Sequence, residues 1–231
     1  MVRGESAWLI ARRLRLYRMA ATRVSDAPPA PPRRLRGRRL RRAFYRRPAT
    51  DLAKALIGKV LVHRAGGREY IARIVETEAY VGPHDLACHA SKGRTKRTEI
   101  MFGRPGHAYV YLIYGMYPML NIVSGEAGHP EAVLIRAAET IRGWEDDWKS
   151  NLSGPGKLCR EMEISLADNT LDLTLSAKLY LLDDGQRPSP RIATSKRIGV
   201  DYAGEWKDAL LRFYDADSNA VSGRKRVKHD A

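Results

Sequence analysis

The chain has 231 residues, of which 44% are hydrophobic and 29% charged, the balance of a globular protein that can bury a sizeable core. No uninterrupted apolar stretch is long enough for a membrane helix, and two cysteines are too few for a disulfide scaffold or a four-cysteine zinc site. The formal net charge of +15 indicates a polyanionic partner, but its distribution along the chain matters more than its size.

Most of the positive charge lies ahead of the folded body. Residues 1–47 hold 15 arginines against two acids, a net charge of +13, whereas residues 48–221 hold 22 basic and 23 acidic side chains. We predict a disordered basic extension at 1–40, a domain at 41–221 and a basic tail at 222–231. The extension also fits a short amphipathic helix at 7–20, an organelle transit peptide or an upstream start codon. A bacterial cytoplasm is the default location, with a nucleus or mitochondrion left open.

Turn residues divide the body into short elements. Thr50 predicts the N-cap of a helix over 51–57 that ends at Gly58, and a β-hairpin follows, with strands at 59–64 and 68–77. Further strands are predicted at 107–114, 119–124, 132–138, 179–182, 192–198 and 211–214, and a helix at 155–163. Strands outnumber helices without regular alternation. This pattern predicts an α+β fold, a single compact domain with a mostly antiparallel sheet.

The segment 75–80 places unusual side chains on a predicted strand. Strand alternation puts Glu76, Glu78 and Tyr80 on one face. The first interpretation is a solvated face at a sheet edge, because charged side chains are mostly exposed. The second is a carboxylate general base at the mouth of a pocket.

The segment 82–89 clusters side chains of the metal-ligand type. A zinc site would use some of His84, Asp85, Cys88 and His89, together with Glu78. Their spacing matches no strong metal signature. A single histidine that acts by hydrogen bonding is the favoured interpretation.

The loop 92–97 carries four positive charges in six residues, on Lys92, Arg94, Lys96 and Arg97. It is either a solvated loop or a flexible segment that contacts DNA phosphates.

Four of the chain's 11 tyrosines fall within 109–117. Such tyrosines pack in a core or at its rim, or they stack on nucleobases. Tyr114 stands directly before Gly115, where a strand-to-turn tip would let a bulky side chain wedge between base pairs.

Several motifs occur together in a fixed order. They are Glu-Thr-Glu-Ala-Tyr (76–80), the His89 segment, Met-Phe-Gly-Arg-Pro-Gly (101–106), Tyr-Val-Tyr-Leu-Ile-Tyr-Gly-Met-Tyr (109–117), Leu-Asn (120–121), Leu-Ile-Arg-Ala-Ala-Glu (134–139), Ser-Gly-Pro-Gly-Lys-Leu-Cys (153–159), Arg-Ile-Gly-Val (197–200) and Gly-Glu-Trp (204–206). As an ordered set they resemble the alkyladenine (3-methyladenine) DNA glycosylase family, over about 43–214. The resemblance implies a compact domain with a curved antiparallel sheet, no metal or organic cofactor, and no Schiff-base lysine or strand cleavage.

The resemblance also implies a reaction. Such an enzyme flips a damaged purine (3-methyladenine, hypoxanthine or ethenoadenine) out of duplex DNA and hydrolyses its N-glycosidic bond. Glu78 matches the general base that activates water against C1′, and Arg136 matches the arginine that helps to hold this water. Glu76 matches no role in the family. The expected partner is double-stranded DNA with a damaged purine, and the expected state is a monomer without membrane association.

Five further residues match the family's contacts with the base and the duplex. Tyr80 and Tyr111 match the two tyrosines that sandwich the base, and His89 matches the histidine that hydrogen-bonds to its edge. Asn121 matches the residue that clashes with the 2-amino group of guanine. Tyr114 matches the residue that fills the gap in the duplex.

Two other functions stay open from the sequence. A non-catalytic nucleic-acid-binding protein on the same fold would keep the tyrosines and basic segments without needing Glu78. A metal-dependent hydrolase would use the cluster at 84–89.

Overall fold

Long antiparallel strands dominate the computed structural model, which describes residues 37–144, 151–185 and 190–223. The described strands are β1 (Arg38–Arg39), β2 (Val60–Ala65), β3 (Arg68–Tyr80), β4 (Ala108–Ile113), β5 (Tyr117–Ser124), β6 (Glu131–Arg142), β7 (Leu179–Asp183), β8 (Ile192–Ser195) and β9 (Arg212–Asp215). The described α-helices are α1 (Arg42–Tyr45), α2 (Ala49–Leu56) and α3 (Pro155–Glu161). None of them is long and apolar enough to cross a bilayer.

The strands follow the order β1-β7-β2-β3-β6-β5-β4, and β9 joins β3 beside β8. All of the described pairings are antiparallel. This confirms the predicted α+β fold with a curved antiparallel sheet in one compact domain. The long strand β3 is bordered along its length by β6 on one side and by β2 and then β9 on the other. Its C-terminal half, which carries Glu76 and Glu78, is therefore interior to the sheet.

Helix α2 covers the middle of this sheet. Its residues Leu52 and Leu56 are fully buried in one cluster with Ile74, Ile135 and Phe213. Burial of each such side chain stabilises the fold by about 1.5–3 kcal/mol. The helix begins at Ala49, two residues before the predicted start, and Pro48 rather than Thr50 is its N-cap. The apolar cluster fixes β3, β6 and β9 relative to one another. It therefore also fixes the relative positions of the polar side chains that these strands carry on their opposite face.

Several predicted boundaries shift in the structure. Pro118, predicted to break a strand, lies within β5 opposite Leu112 of β4. Strand β5 pairs with β6 only from Asn121 onward, so Pro118 stands where β5 has a partner strand on one side, a place where a missing backbone donor is tolerated. The strand predicted at 192–198 ends at Ser195. Strand β1, at 38–39, lies inside the predicted extension and pairs with β7. Residues 1–36, including the helix considered at 7–20, and residues 224–231 of the predicted tail lie outside the described residues.

Candidate active site

Two carboxylates on β3 are removed from solvent. Glu76 and Glu78 are both fully buried. The register between β3 and β6 shifts on either side of Glu76, and such irregularities re-aim side chains beside functional sites. The interpretation of this segment as a solvated sheet edge is therefore wrong.

The carboxylate of Glu78 has three polar neighbours. The hydroxyl of Tyr80 donates to Oε2 over 3.0 Å, and the backbone N–H of Ile198 donates to Oε1 over 2.8 Å. Nη1 of Arg136, on β6, lies 3.2 Å from Oε2. Strand β8 ends at Ser195, three residues before Ile198. The backbone N–H of Ile198 is therefore outside the β8–β9 ladder and bonds to Glu78 instead.

Burial and charge act in opposite directions on this pair. Burial raises the pKa of Glu78, and the guanidinium of Arg136 partly offsets this. Burial also disfavours the charged form of Arg136, but Glu78 and Glu76 outweigh that penalty and raise its pKa. The result is a permanently charged arginine beside a carboxylate with increased proton affinity, which suits a general base.

A cavity of about 370 Å³ opens beside this pair. All three neighbours of Glu78 line it, whereas Glu78 is not among the described residues on its wall. The carboxylate therefore lies directly behind the part of the cavity wall that Tyr80, Ile198 and Arg136 form. His89, Tyr111 and Asn121 also line the cavity, so the structure brings together all of the predicted pocket residues.

The aromatic wall of the cavity is built from strand β4 and the 3₁₀ turn His89–Lys92. The rings of His89 and Tyr111 meet edge to face, with centroids 4.5 Å apart. Nδ1 of His89 is hydrogen-bonded to the hydroxyl of Tyr109 over 2.8 Å. Burial lowers the pKa of His89 to about 4, with a contribution from Arg97. At neutral pH the imidazole is therefore uncharged and has one donor and one acceptor nitrogen.

A guanidinium lies over each of the two candidate base-stacking rings. Arg197 lies 4.8 Å from the centroid of Tyr80, and Arg97 lies 4.9 Å from that of Tyr111. Arg197 is buried and forms a bidentate pair with Asp85, with distances of 2.5 and 2.8 Å. Arg197 was not predicted from the sequence to be a site residue. The sequence feature that could have indicated it is the Arg-Ile-Gly-Val motif (197–200). The partner of Arg197, Asp85, stands 112 positions earlier in the chain.

Asn121 lies on β5, opposite Tyr109 of β4 and Leu134 of β6. It is buried, and its Nδ2 donates to the carbonyl oxygens of Tyr109 and Met119 over 3.4 and 3.3 Å. This fixes a polar side chain on an otherwise apolar part of the cavity wall.

Tyr114 forms the tip of the β4–β5 hairpin. Tyr114 and Gly115 have φ values of 51° and 72°, and the N–H of Met116 donates to the carbonyl oxygen of Ile113 over 3.1 Å. Positive φ at both central residues is the requirement of a type I′ turn. The Tyr114 side chain is 86% exposed at the mouth of the cavity. The turn thus projects an aromatic ring into solvent beside the pocket.

The cationic loop at 92–97 borders the cavity through Arg97 alone. Lys92 and Lys96 are exposed, whereas both oxygens of Glu99 accept from Arg94, over 2.6 and 2.8 Å. Arg94 is therefore already paired with a nearby carboxylate.

The segment 82–89 does not gather into a metal site. Asp85 pairs with Arg197, and His84 packs against Trp206 with ring centroids 5.3 Å apart. Burial raises the pKa of the Cys88 thiol to about 11, which disfavours the thiolate that zinc requires. In the described ranges, no three His, Cys, Asp or Glu side chains are grouped as ligands.

Comparison with known proteins gives a consistent result. The sequence model described as "Methylpurine-DNA glycosylase" matches residues 43–219. A protein of Methanocella arvoryzae, named "Putative 3-methyladenine DNA glycosylase", is 51% identical over 198 residues, which cover 80% of this chain and 96% of the relative. Proteins of the same name from Legionella pneumophila (strain Lens) and Myxococcus xanthus are 51% and 46% identical, covering 80% and 78% of this chain and 98% and 91% of theirs.

Proposed function

Because the chain belongs to the methylpurine-DNA glycosylase family, it is a DNA glycosylase that hydrolyses N-glycosidic bonds, and we propose that its substrates are damaged purines in duplex DNA. The proposed class comprises 3-methyladenine, hypoxanthine and ethenoadenine. The observation that carries this proposal is the buried Glu78–Arg136 pair beside a cavity walled by tyrosines and a neutral histidine. We further propose that the protein acts as a monomer, inside the cell where chromosomal DNA is found.

In the proposed reaction, water held between Glu78 and Arg136 attacks C1′ of the damaged nucleotide. Glu78 accepts the proton of this water, and its negative charge stabilises the positive charge that develops on the sugar. A cationic base such as 3-methyladenine leaves without being protonated. One carboxylate therefore suffices for a cationic base, whereas glycosidases commonly use two. Hypoxanthine and ethenoadenine are neutral, so each must also take up a proton as it leaves. The described cavity wall includes no lysine, which supports hydrolysis without a Schiff-base intermediate.

The pocket residues select the base. Stacking on Tyr80 and Tyr111 is worth about 1–3 kcal/mol per contact. Because His89 is neutral, it hydrogen-bonds to the edge of the base without repelling a cationic purine. Asn121 occupies the position that the 2-amino group of guanine would need. These contacts favour adenine-derived lesions.

Access to the base requires that the nucleotide leave the duplex, at a cost of a few kcal/mol. We propose that Tyr114 enters the gap in the base stack, since its ring is the most exposed large hydrophobic side chain described at the cavity mouth. Lys92, Lys96 and Arg97, with Arg94 as a weaker candidate, would contact phosphates on the same side.

Replacement of Glu78 by Gln tests the assignment. A duplex with one hypoxanthine is incubated with excess protein, and alkali then reveals abasic sites. We expect single-turnover excision to fall by about 10²–10⁴-fold or more, with binding of the duplex retained. Glu126→Gln, which changes an exposed carboxylate far from β3 in sequence, is the matched control. Near wild-type excision by Glu78→Gln would refute the role of this residue. Binding without excision by the wild-type protein would support a non-catalytic nucleic-acid-binding protein instead.

A further inference from the structure

Glu76, the second buried carboxylate of β3, accepts four hydrogen bonds. Nε of Arg136 donates to Oε1 over 3.1 Å, and Nε of Arg212 donates to the same oxygen over 2.6 Å. Ser222 supplies the other two, from its hydroxyl to Oε1 over 2.8 Å and from its backbone N–H to Oε2 over 2.6 Å. We call these four residues the Glu76 clamp. The reaction proposed above gives Glu76 no step of its own.

The clamp determines how Arg136 meets Glu78. Nε of Arg136 is held by Glu76, and Nη2 donates to the hydroxyl of Ser222 over 3.3 Å. Only Nη1 remains for Glu78, at 3.2 Å. An arginine beside a single carboxylate commonly forms a bidentate pair, which engages both carboxylate oxygens. Here the contact with Glu78 is monodentate because the other nitrogens are engaged.

We propose that Glu76 is a positioning residue: it holds Arg136 so that this arginine does not form a bidentate pair with Glu78. Oε1 of Glu78, which accepts the N–H of Ile198, then keeps its second acceptor position for the attacking water. Ser222 completes the arrangement from outside the segment that the family model matches, which ends at residue 219. The inference rests on the proposed function of Glu78 as general base.

Charge gives this proposal a distinctive signature. The titratable groups that act on Glu78 from the surrounding elements are Glu76, Tyr80, Tyr111, Arg136, Arg197, Tyr202 and Arg212. Glu76→Gln removes one negative charge from this set, keeps every arginine in the chain and weakens the contact that holds Arg136 away from Glu78. The ionised form of Glu78 is then favoured, so its pKa falls. General damage to the fold has no reason to move this pKa in that direction.

The experiment is a pH–rate profile for single-turnover release of 3-methyladenine from methylated DNA. A cationic leaving group is chosen because it needs no protonation, so the acid limb reports the general base. We expect Glu76→Gln to shift this limb to lower pH, because the raising effect of the Glu76 charge on the pKa of Glu78 is removed, and to lower the plateau rate by about tenfold. Ser222→Ala, which retains the backbone donor, should shift the limb in the same direction by less.

Asp168→Asn is the matched control, because Asp168 is also a fully buried carboxylate, with His63 and Lys178 as partners. It should lower thermal stability without moving the acid limb. An unshifted limb in Glu76→Gln would overturn the proposal, as would a shift to higher pH. If Glu76→Gln does not fold, an unshifted limb in Ser222→Ala would overturn it. Full activity of Glu78→Gln would instead refute the assignment of Glu78 as general base, which is a separate failure from that of the role proposed for Glu76.

Discussion

The replacement Tyr114→Gly should strengthen the fold and weaken the enzyme at once. Tyr114 is a non-glycine residue at φ 51°, a left-handed conformation that costs an L-residue roughly 1–2 kcal/mol. Glycine relieves this strain but loses about 0.5–1 kcal/mol of backbone entropy on folding. Because the ring is 86% exposed, little packing is lost. The expected net gain lies between zero and about 1.5 kcal/mol, or up to ~3–6 °C in Tm.

The effect on excision has the opposite sign. Loss of a stacked aromatic removes about 1–3 kcal/mol, which lowers the flipped population by roughly 5- to 150-fold at ~1.4 kcal/mol per tenfold. Tyr114→Ala should lose the same activity without the gain in stability, because alanine keeps the strained conformation. Tyr114→Phe, which retains the ring, should excise at nearly the wild-type rate.

Two measurements separate these contributions. Thermal unfolding reports the backbone, and single-turnover excision of hypoxanthine reports the ring, with the lesion placed either in a well-paired or in a mismatched context. The defect should be larger in the well-paired context. Wild-type excision by Tyr114→Gly would show that the wedge is another residue of this turn, with Met116 and Tyr117, 64% and 48% exposed, as the candidates. A lower Tm for Tyr114→Gly would refute the strain argument.

Three further predictions concern other parts of the molecule. Asn121→Ser should leave hypoxanthine excision near normal and admit 7-methylguanine, because the clash with the 2-amino group is removed; equal slowing of both substrates would make Asn121 merely structural. Removal of residues 1–36, which leaves β1 and the buried Leu40 in place, should spare the chemistry and flatten the slope of log affinity against log salt, since fewer counterions are released; an unchanged slope would show that these residues do not touch DNA. His89 has a pKa of about 4 in the folded protein against 6.5 ordinarily, so below pH 6.5 the unfolded chain binds the extra proton and stability falls as the pH drops toward 4. His89→Asn should reduce that loss in denaturant titrations from pH 7 to 4.5, and an unaltered slope would mean that His89 is protonated when folded.

Local patterns in the sequence predicted most of the strands. Alternation and glycine turns located β2 and β3, and the pairing of Tyr114 with Gly115 located the hairpin tip. These features depend on neighbouring residues, so a window of ten positions contains the necessary information. The helix α1 was not predicted, because Arg42–Tyr45 is a single turn in an arginine-rich stretch without periodicity.

The polar interior could not be derived in this way. Local composition suggested a solvated face for Glu76 and Glu78, yet their partners Arg136 and Ser222 are separated from them by 58 to 146 positions. No local pattern encodes such pairings. The resemblance to a family supplied roles for Glu78 and Arg136 but none for Glu76, and the zinc interpretation failed to foresee that Asp85 would pair with Arg197.

The hydrogen bond between Ser222 and Glu76 links positions that are 146 residues apart. At the usual pace of translation, about 5–20 residues per second, roughly 7 to 30 s pass between the synthesis of these two residues. Until Ser222 arrives, the carboxylate of Glu76 lacks two of its four donors, and its burial between β6 and β9 is correspondingly costly. A ribosome-bound chain therefore cannot complete the hydrogen bonds of Glu76 before Ser222 has been synthesised. The Glu76 clamp thus forms well after the synthesis of the strands that carry Glu76 and Arg136.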